Sequence, residues 1–365
     1  MKIRISSNNI KSAVKKVFSA ADKRGNIPIL SNILFEAEDN ILKLTATNLE
    51  IGVSTFIDCE VTESGKTTVN AQKCAKLFSS LIGEEFEVET DDSKLIVKSA
   101  NSRFSLATLP PEEFPEIEFP ESFGVKLSSS DIDRAIKKVS YAVSKDEARY
   151  ILTGVYFRSF GDKIHAVATD GHRLALFEMK AEAEEFSSII PRKALSELKK
   201  LLKESDEIEL LGKENKIFFR IGDTLFWSSV IDGEYPDYMA VIPEDNPLEC
   251  IAIREELVNA LKEVSVIYDK EEIRAVILNL TPGNLRLIAR KMELDSASEE
   301  AEVNIPVEYS GEEFEIGFNI NHLLEAVSSF DGDTIKILMD QPISPVLIVS
   351  EEEPELKNVI MPMKV

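Results

Sequence analysis

The segment Ala168-Thr169-Asp170-Gly171-His172-Arg173-Leu174 stands between two apolar runs, Lys163-Ile164-His165-Ala166-Val167 and Ala175-Leu176-Phe177. Asp-Gly in that setting is a strong hairpin signal, because glycine tolerates positive φ and aspartate caps its own turn. The reading is a strand, a tight turn that lifts His172 and Arg173 out of the sheet, and a second strand. An echo of the segment, Ala46-Thr47-Asn48-Leu49-Glu50, occurs 122 positions earlier. Copies so far apart are whole domains and not solenoid units.

The echo extends along the chain. Ile3 and Ile5, and Val125 and Leu127, alternate with polar residues before the pattern switches to helical spacing, and Ile251 and Ile253, with Ala252 between them, are read the same way. One helix then carries Ile10, Ala13, Val14, Val17, Phe18 and Ala21 on one face; its counterparts carry Ile132, Ala135, Ile136, Val139 and Val143, and Leu257, Ala260, Leu261 and Val264. Ser130 with Asp133 resembles a capping box for the middle one. Apolar strands follow at Ile33-Leu34-Phe35, Val155-Tyr156-Phe157 and Val276-Ile277-Leu278, each with a second strand behind it. A second helix is marked by Cys74, Leu77 and Leu81, by Leu195, Leu198 and Leu202, and by Leu323, Ala326 and Phe330. Each copy closes in strands: Phe86 to Val88 and Leu95 to Val97; Ile208 to Leu210 and Ile217 to Phe219; Ile335 to Leu338 and Val346 to Val349. The spacing predicts an α+β chain of three tandem, similar domains, 1–122, 123–246 and 247–365, each with two helices on one face of mostly antiparallel sheet. The boundaries fall near Pro120 to Gly124 and Asn246 to Pro247, polar and proline-bearing as linkers are.

Lys+Arg is 42 against Asp+Glu 65, a net charge of -23, which argues against simple adhesion to nucleic acid or an anionic membrane. The start, Met1-Lys2-Ile3-Arg4-Ile5-Ser6, lacks the apolar core of a signal peptide, and no run approaches the roughly 18 apolar residues that span a bilayer. Cys59, Cys74 and Cys250 are distant from one another and odd in number, the pattern of buried free thiols in a reducing cytoplasm.

The positive charge is not spread evenly. The helices of the first two copies offer Lys11, Lys15, Lys16, Lys23, Arg24, Lys73 and Lys76, then Arg134, Lys137, Lys138, Arg192, Lys193, Lys199, Lys200 and Lys203. Only Asp22, Asp131, Asp133 and Glu197 oppose them, whereas in the third copy Arg254 and Lys262 are offset by Glu255, Glu256 and Glu263. Helices basic along their polar faces in an otherwise acidic chain suit sequence-independent phosphate contact. Aromatics are not interleaved with the lysines, so stacking on single strands is not supported, and duplex held by charge and shape is the better reading.

Catalytic alternatives centre on Asp170 and His172, as a hydrolase or metal-dependent site. The chain has 3 histidines, no serine or cysteine elbow precedes His172, and no third ligand sits at a supporting spacing. No glycine-rich phosphate loop occurs either.

Taken together, Arg24 with Pro28-Ile29-Leu30, Arg149-Tyr150 with Leu152 and Gly154, Thr169 to Leu174, Pro191-Arg192-Lys193, Tyr235-Pro236-Asp237-Tyr238 and the terminus Val359-Ile360-Met361-Pro362-Met363-Lys364-Val365 run in order from end to end. In these residues the chain resembles the bacterial β sliding clamp family, the processivity subunit of DNA polymerase III. The resemblance implies the DNA clamp fold, a head-to-tail homodimer closing six domains into a ring, helices lining the hole, no catalysis and no cofactor or metal. It implies a cytoplasmic protein that encircles double-stranded DNA without reading sequence and makes no membrane contact. Its partners would be the DNA polymerase III catalytic subunit, the clamp loader and other proteins carrying a clamp-binding motif.

For DNA the resemblance and the helix charges nominate Arg24, Lys11, Lys15, Lys73, Lys137, Tyr150, Arg192, Lys193, Lys199 and Lys200. For a pocket taking a peptide with glutamine followed by leucine and ending in phenylalanine, the matching positions are Leu152, Thr169, Gly171, His172, Arg173, Leu174, Pro236, Val241, Ile360, Met361, Pro362 and Met363. For the subunit interface they are Phe104 and Leu106 on one side, Ile267 and Tyr268 on the other. Met239-Ala240 stands where relatives carry basic residues, which makes that wall more apolar. Ile151 replaces a frequent tyrosine, and Asp146 a neutral amide near the DNA path.

Overall fold

A computed structural model describes residues 1–22, 25–183, 185–269, 274–291 and 299–364. Each copy contributes two α-helices: α1 Ser7–Phe18 and α2 Ala71–Ser80, α3 Ser129–Val139 and α4 Arg192–Leu201, α5 Arg254–Val264 and α6 Ile320–Ser328. The apolar faces read from the sequence are buried, with Ile10, Ala13, Val14 and Val17 of α1, Ile132, Ala135, Ile136 and Val139 of α3, and Leu257, Ala260, Leu261 and Val264 of α5 all in the core. Side chains just before the helices satisfy first-turn amides: Ser6 accepts from Asn9, Asn70 from Lys73, and Asn319 from Asn321 and His322. At α3 that acceptor is Ser128, bonded by the Ser130 and Asp131 amides, and not the Ser130 that the capping-box spacing suggests. Ser130 already lies inside the first turn, too late to cap it.

The described chain forms two compact units, Met1–Asp133 with Lys193–Ile231 and Arg134–Arg192 with Asp232–Val365. The middle copy is thus shared. Its hairpin strands Gly154–Ser159, Lys163–Thr169 and Arg173–Lys180 belong to the second unit, while its closing strands Glu207–Lys213, Lys216–Ile221 and Thr224–Ser229 belong to the first.

In the first unit a 13-stranded sheet includes the hairpin strands of the first copy, Asn32–Glu38, Ile41–Thr47 and Ile51–Asp58, and the closing strands of the middle copy. They are joined where Ile51–Asp58 pairs antiparallel with Thr224–Ser229, Ile51 opposite Ser228 and Thr55 opposite Thr224. Gly52 is required there, since a Cβ would stand 2.2 Å from Trp227 Nε1. The first copy's own closing strand, Ser102–Leu109, pairs over 102–107 with Lys94–Ser99, but on its other side, among the described residues, only Thr108 and Leu109 find strand partners, in Val69 and Thr68. Its stretch 102–107 is an unpaired edge.

In the second unit an 8-stranded sheet joins the middle and third copies in the same way. Arg173–Lys180 pairs antiparallel with Leu356–Ile360, Arg173 opposite Ile360 and Phe177 opposite Leu356. A 4-stranded sheet holds Ala275–Thr281, Asn284–Lys291, Glu299–Pro306 and Phe314–Asn319, with Glu299–Pro306 at one edge. A single rule covers both junctions: the third hairpin-region strand of one copy pairs with the closing strand of the next. Among the described residues it leaves two strands unmatched, Glu299–Pro306 of the third copy and Ser102–Leu109 of the first.

Candidate functional site

The turn at 169–173 is built by its own polar side chains. Thr169 Oγ1 donates to the Arg173 carbonyl (2.6 Å) and accepts from the Gly171 amide (3.1 Å). Asp170 Oδ1 accepts from the His172 and Arg173 amides at 2.9 and 3.1 Å. Gly171 has φ +86°, and a Cβ there would meet Arg149 Nη1 at 3.0 Å, so glycine is needed twice over. Arg149 clamps the outside of the turn, donating from Nη1 to the Asp170 carbonyl at 2.7 Å and from Nε to Asp146 at 3.0 Å.

Arg173 does not leave the sheet as the turn reading expects. It is the first residue of a strand and is 8% exposed. Its guanidinium is bonded to Asp170 Oδ2 (3.1 Å), to the Tyr141 carbonyl (2.8 Å) and to the Glu325 carboxylate, and it lies over the Tyr141 ring. A guanidinium leaves water only when its donors are matched, and here several are. Arg173 therefore supports the turn from behind. His172 is exposed, its ring 6.1 Å from that of His322. With both Asp170 oxygens spent on the turn, that carboxylate is a scaffold and not a base for His172.

The last strand delivers the C-terminus to this turn. The Met361 amide donates to the His172 carbonyl at 2.8 Å, and the Met363 amide to Gly317 at 2.8 Å. Leu174 and Ile360 are core residues, 3% and 0% exposed, so they back the wall without forming its surface. Surface is offered by Gly171, His172, Pro236, Val241 and Met361, with Leu152, Thr169, Pro362 and Met363 half-buried. Pro236 and Val241 belong to a separate segment pinned by aromatics. Tyr235 stacks on Tyr156 at 4.6 Å, and Tyr238 shares a hydrogen bond with His165 Nδ1 at 2.9 Å. Met239, 51% exposed, adds the apolar side chain expected at that wall. Tyr141 and Glu325 escaped the sequence reading, and Arg149 was named there for the resemblance without this supporting role.

The basic helices divide into tethered and available charges. Lys138, read as a polar-face lysine, is instead 1% exposed, bonded to Glu353 (2.7 Å), Asp331 (2.9 Å) and the Ser329 carbonyl (2.6 Å). Arg134 joins it on Glu353 at 2.9 Å and reaches Glu355 at 2.8 Å. Burial would raise the Glu353 carboxyl, but bonds from Lys138, the Asp331 amide and Arg134 bring it down to about 2. Lys11 donates to the Leu81 carbonyl at 2.8 Å, and Lys16 pairs with Glu204 at 2.9 Å. Lys199 lies 3.6 Å from Asp133, and Lys200 bonds Glu197 at 2.7 Å; such exposed pairs are weak and exchange readily for phosphate. Among the described residues Lys15, Lys73, Lys137 and Lys193 are exposed and make no ion pair. Arg192 and Tyr150 are exposed at the surface, Tyr150 by 55%. Arg24 lies outside the described residues.

On the unpaired edge, Phe104 is 40% exposed and Leu106 half-buried. Tyr268 donates to the Ala275 carbonyl at 2.8 Å, anchoring the turn after α5 with Ile267 half-buried beside it and Val266 80% exposed. Cys74 and Cys250 are buried and Cys59 only partly so; burial pushes the Cys59 thiol up to about 11. Among the described residues no helix is long and apolar enough to cross a membrane.

Comparison with known proteins covers nearly every residue. The N-terminal, central and C-terminal domains of the DNA polymerase III beta subunit match residues 1–118, 126–237 and 239–364. The chain is 34% identical over 377 residues to the beta sliding clamp of Caulobacter vibrioides and 33% identical over 371 residues to that of Proteus mirabilis, with 100% of both chains covered in each case. Its structure superposes with a TM-score of 0.93 on the Caulobacter crescentus pol III beta structure, at 33% identity and 100% coverage of both chains. The DNA polymerase III subunit beta of Pseudomonas aeruginosa gives 0.93 at 30% identity, again over 100% of both. Matched end to end by sequence and by fold, the chain belongs to the bacterial β sliding clamp family, the beta subunits of DNA polymerase III.

Proposed function

We propose that two copies of this chain close head to tail around duplex DNA and carry replication proteins along it, as a non-catalytic processivity subunit in the cytoplasm. The observation that carries this reading is the strand rule. Two junctions obey it within the chain, and the strands it leaves unmatched, Ser102–Leu109 and Glu299–Pro306, are open edges of opposite character. The first bears Arg103, opposite Lys98 of the neighbouring strand; the second bears Glu299, Glu300 and Glu302. Pairing the edge of one copy with the other edge of a second makes a heterologous contact, and heterologous contacts close into rings when the rotation permits. Unpaired edges are otherwise an aggregation hazard.

Enclosure also accounts for the charge. A ring retains DNA by topology, so a chain of net charge -23 needs only modest cationic lining. Lys15, Lys73, Lys137 and Lys193 provide it in this reading, with Lys11, Lys199, Lys200, Arg192, Tyr150 and Arg24 as further contacts. The acidic remainder discourages nonspecific adhesion. The wall of His172, Gly171, Leu152, Val241 and Met361 is the dock for the polymerase catalytic subunit, the clamp loader and other motif-bearing proteins. Methionine and leucine side chains adapt to several apolar partners. The domains in this reading are 1–122, 123–246 and 247–365.

The test loads the protein, with a clamp loader, onto nicked circular DNA. The protein should remain on circles through a high-salt wash and leave when the circle is cut. Retention on linear DNA equal to that on circles would sink the topological reading.

A further inference from the structure

The segment that carries Pro236, Met239 and Val241 lies on the sheet without joining it. Among the described residues its backbone hydrogen bonds are the Val241 amide to the Tyr238 carbonyl (3.4 Å) and the Ile242 amide to the Met239 carbonyl (3.3 Å), both local. Its attachment to the sheet is therefore made by side chains.

Strand register fixes the face that receives it. Arg158 stands opposite His165, and His165 opposite Glu178, so the three side chains share one face, with Tyr156 two residues before Arg158 on the same side. Val155, Phe157 and Ala166 turn the other way, into the core. On the outer face Tyr235 stacks on Tyr156, and Tyr238 meets His165, whose ring centroid is 4.7 Å from that of Phe160. His165 and Tyr238 are both buried.

The partners of His165 settle where its proton sits. Burial would raise the Glu178 carboxyl, but Lys163 at 3.0 Å and His165 bring it down, so it is an ionised acceptor. Its Oε2 lies 3.3 Å from Nε2, which therefore carries the hydrogen of the neutral ring. That leaves Nδ1 as the acceptor facing Tyr238 Oη at 2.9 Å. Burial pushes the Tyr238 hydroxyl up to about 12, so it keeps its proton and donates. Burial also pulls the imidazole below its ordinary value against Glu178, which leaves it neutral near pH 7. The other charges around the ring are Lys163, Arg158 over the Phe160 ring, and Lys357 on the closing strand, with Asp237 next to Tyr238.

We propose that His165 is a positioning residue for partner docking: through Tyr238 it holds the 235–241 segment, and so Pro236, Met239 and Val241, where the peptide wall needs them. The inference deepens the peptide-docking reading of that wall and rests on it. The hold requires the neutral ring. Once Nδ1 gains a proton, the Tyr238 hydroxyl loses its acceptor inside a buried contact, and the segment loosens.

The test measures binding of a tetramethylrhodamine-labelled QLSLF peptide to the full chain by anisotropy, from pH 7.5 to pH 5.5. Wild type should bind more weakly as pH falls. Tyr238→Phe, which keeps the ring, should weaken binding about threefold to fivefold at pH 7.5, up to the value of one hydrogen bond, and should lose part of the pH dependence. His172 and His322 titrate in both proteins, so the difference between the two profiles isolates His165. His165→Gln keeps an acceptor for Tyr238 and a donor for Glu178 without a titrating ring; it should bind as wild type does at pH 7.5 and share the flatter profile. Failure of wild type to bind QLSLF would refute the wall, and this inference with it. Binding by wild type with equal affinity in Tyr238→Phe at pH 7.5, or with the wild-type pH profile in both variants, would overturn the role of His165 and leave the wall standing.

Discussion

The two internal junctions share a backbone and differ in what holds it. In the first unit Ile51–Asp58 meets Thr224–Ser229 over uncharged side chains, apolar ones together with the buried hydroxyls of Thr55 and Thr224 at 3.1 Å, and the same unit holds a half-buried Lys16–Glu204 pair. In the second, Arg173–Lys180 meets Leu356–Ile360, and buried charge does the fastening: Arg173 on Asp170 and Glu325, Lys138 and Arg134 on Glu353. Lys16 and Lys138 sit 122 positions apart, one half-buried and the other sealed. Junction geometry therefore follows from strand pairing and from the threonine-led turn, while side chains remain at liberty to serve stability in one place and binding in another.

The sharpest way to break this contrast is to remove one buried partner. Glu353→Gln should destabilise the second unit by about 3 kcal/mol, since it leaves the buried Lys138 with Asp331 as its one remaining carboxylate, whereas Glu204→Gln at the half-buried Lys16 pair should cost about 1 kcal/mol. Chemical denaturation of both variants measures the difference. The pH dependence has a definite sign. Glu353 is depressed from 4.5 to about 2, so its contribution is complete above pH 4.5 and disappears as pH falls toward 2. That is on the order of 3 kcal/mol, and the acid limb of stability should flatten in Glu353→Gln.

A second break falls on the junction that has no partner inside the chain. Phe104→Asp places a charge on the open edge and should raise the dimer dissociation constant by a hundredfold or more, about 3 kcal/mol, while leaving the folded monomer intact. Sedimentation velocity across concentrations reads this directly.

Smaller effects sharpen the two echoing turns, at 46–50 and 168–174. Gly171→Leu imports the residue of the first copy into the second. The positive φ and the Arg149 contact should cost about 1–2 kcal/mol in stability and displace the peptide wall, measurable as lower Tm and weaker QLSLF binding. Replacing Lys15, Lys73 and Lys137 with glutamate should lower DNA retention without changing dimerisation. The slope of log affinity against log salt should flatten by about 0.9 for each phosphate no longer neutralised.

What the sequence made legible was local. Alternation and helical spacing placed the helices and strands, and threonine with Asp-Gly marked the turn, because each signal lies within a few residues. Long-range facts were not legible. Lys138 has the spacing of a solvated lysine, and nothing near it announces Glu353, 215 positions away. Arg173 reads as a turn residue until Glu325 and Tyr141 arrive from other elements. The strand rule itself joins residues more than 150 positions apart and leaves no local trace.

The most direct measurement concerns the unmatched edges. Carrying the register of the two closed junctions onto them sets Phe104 of one copy opposite Ala301 of the other. In a Cys59→Ser background, which removes the partly exposed thiol, Phe104→Cys with Ala301→Cys should react with a short bismaleimide to give a covalent dimer, and neither single variant should. A chain that stays monomeric under these conditions, or that cross-links equally well with one cysteine alone, would contradict closure by this pair of strands.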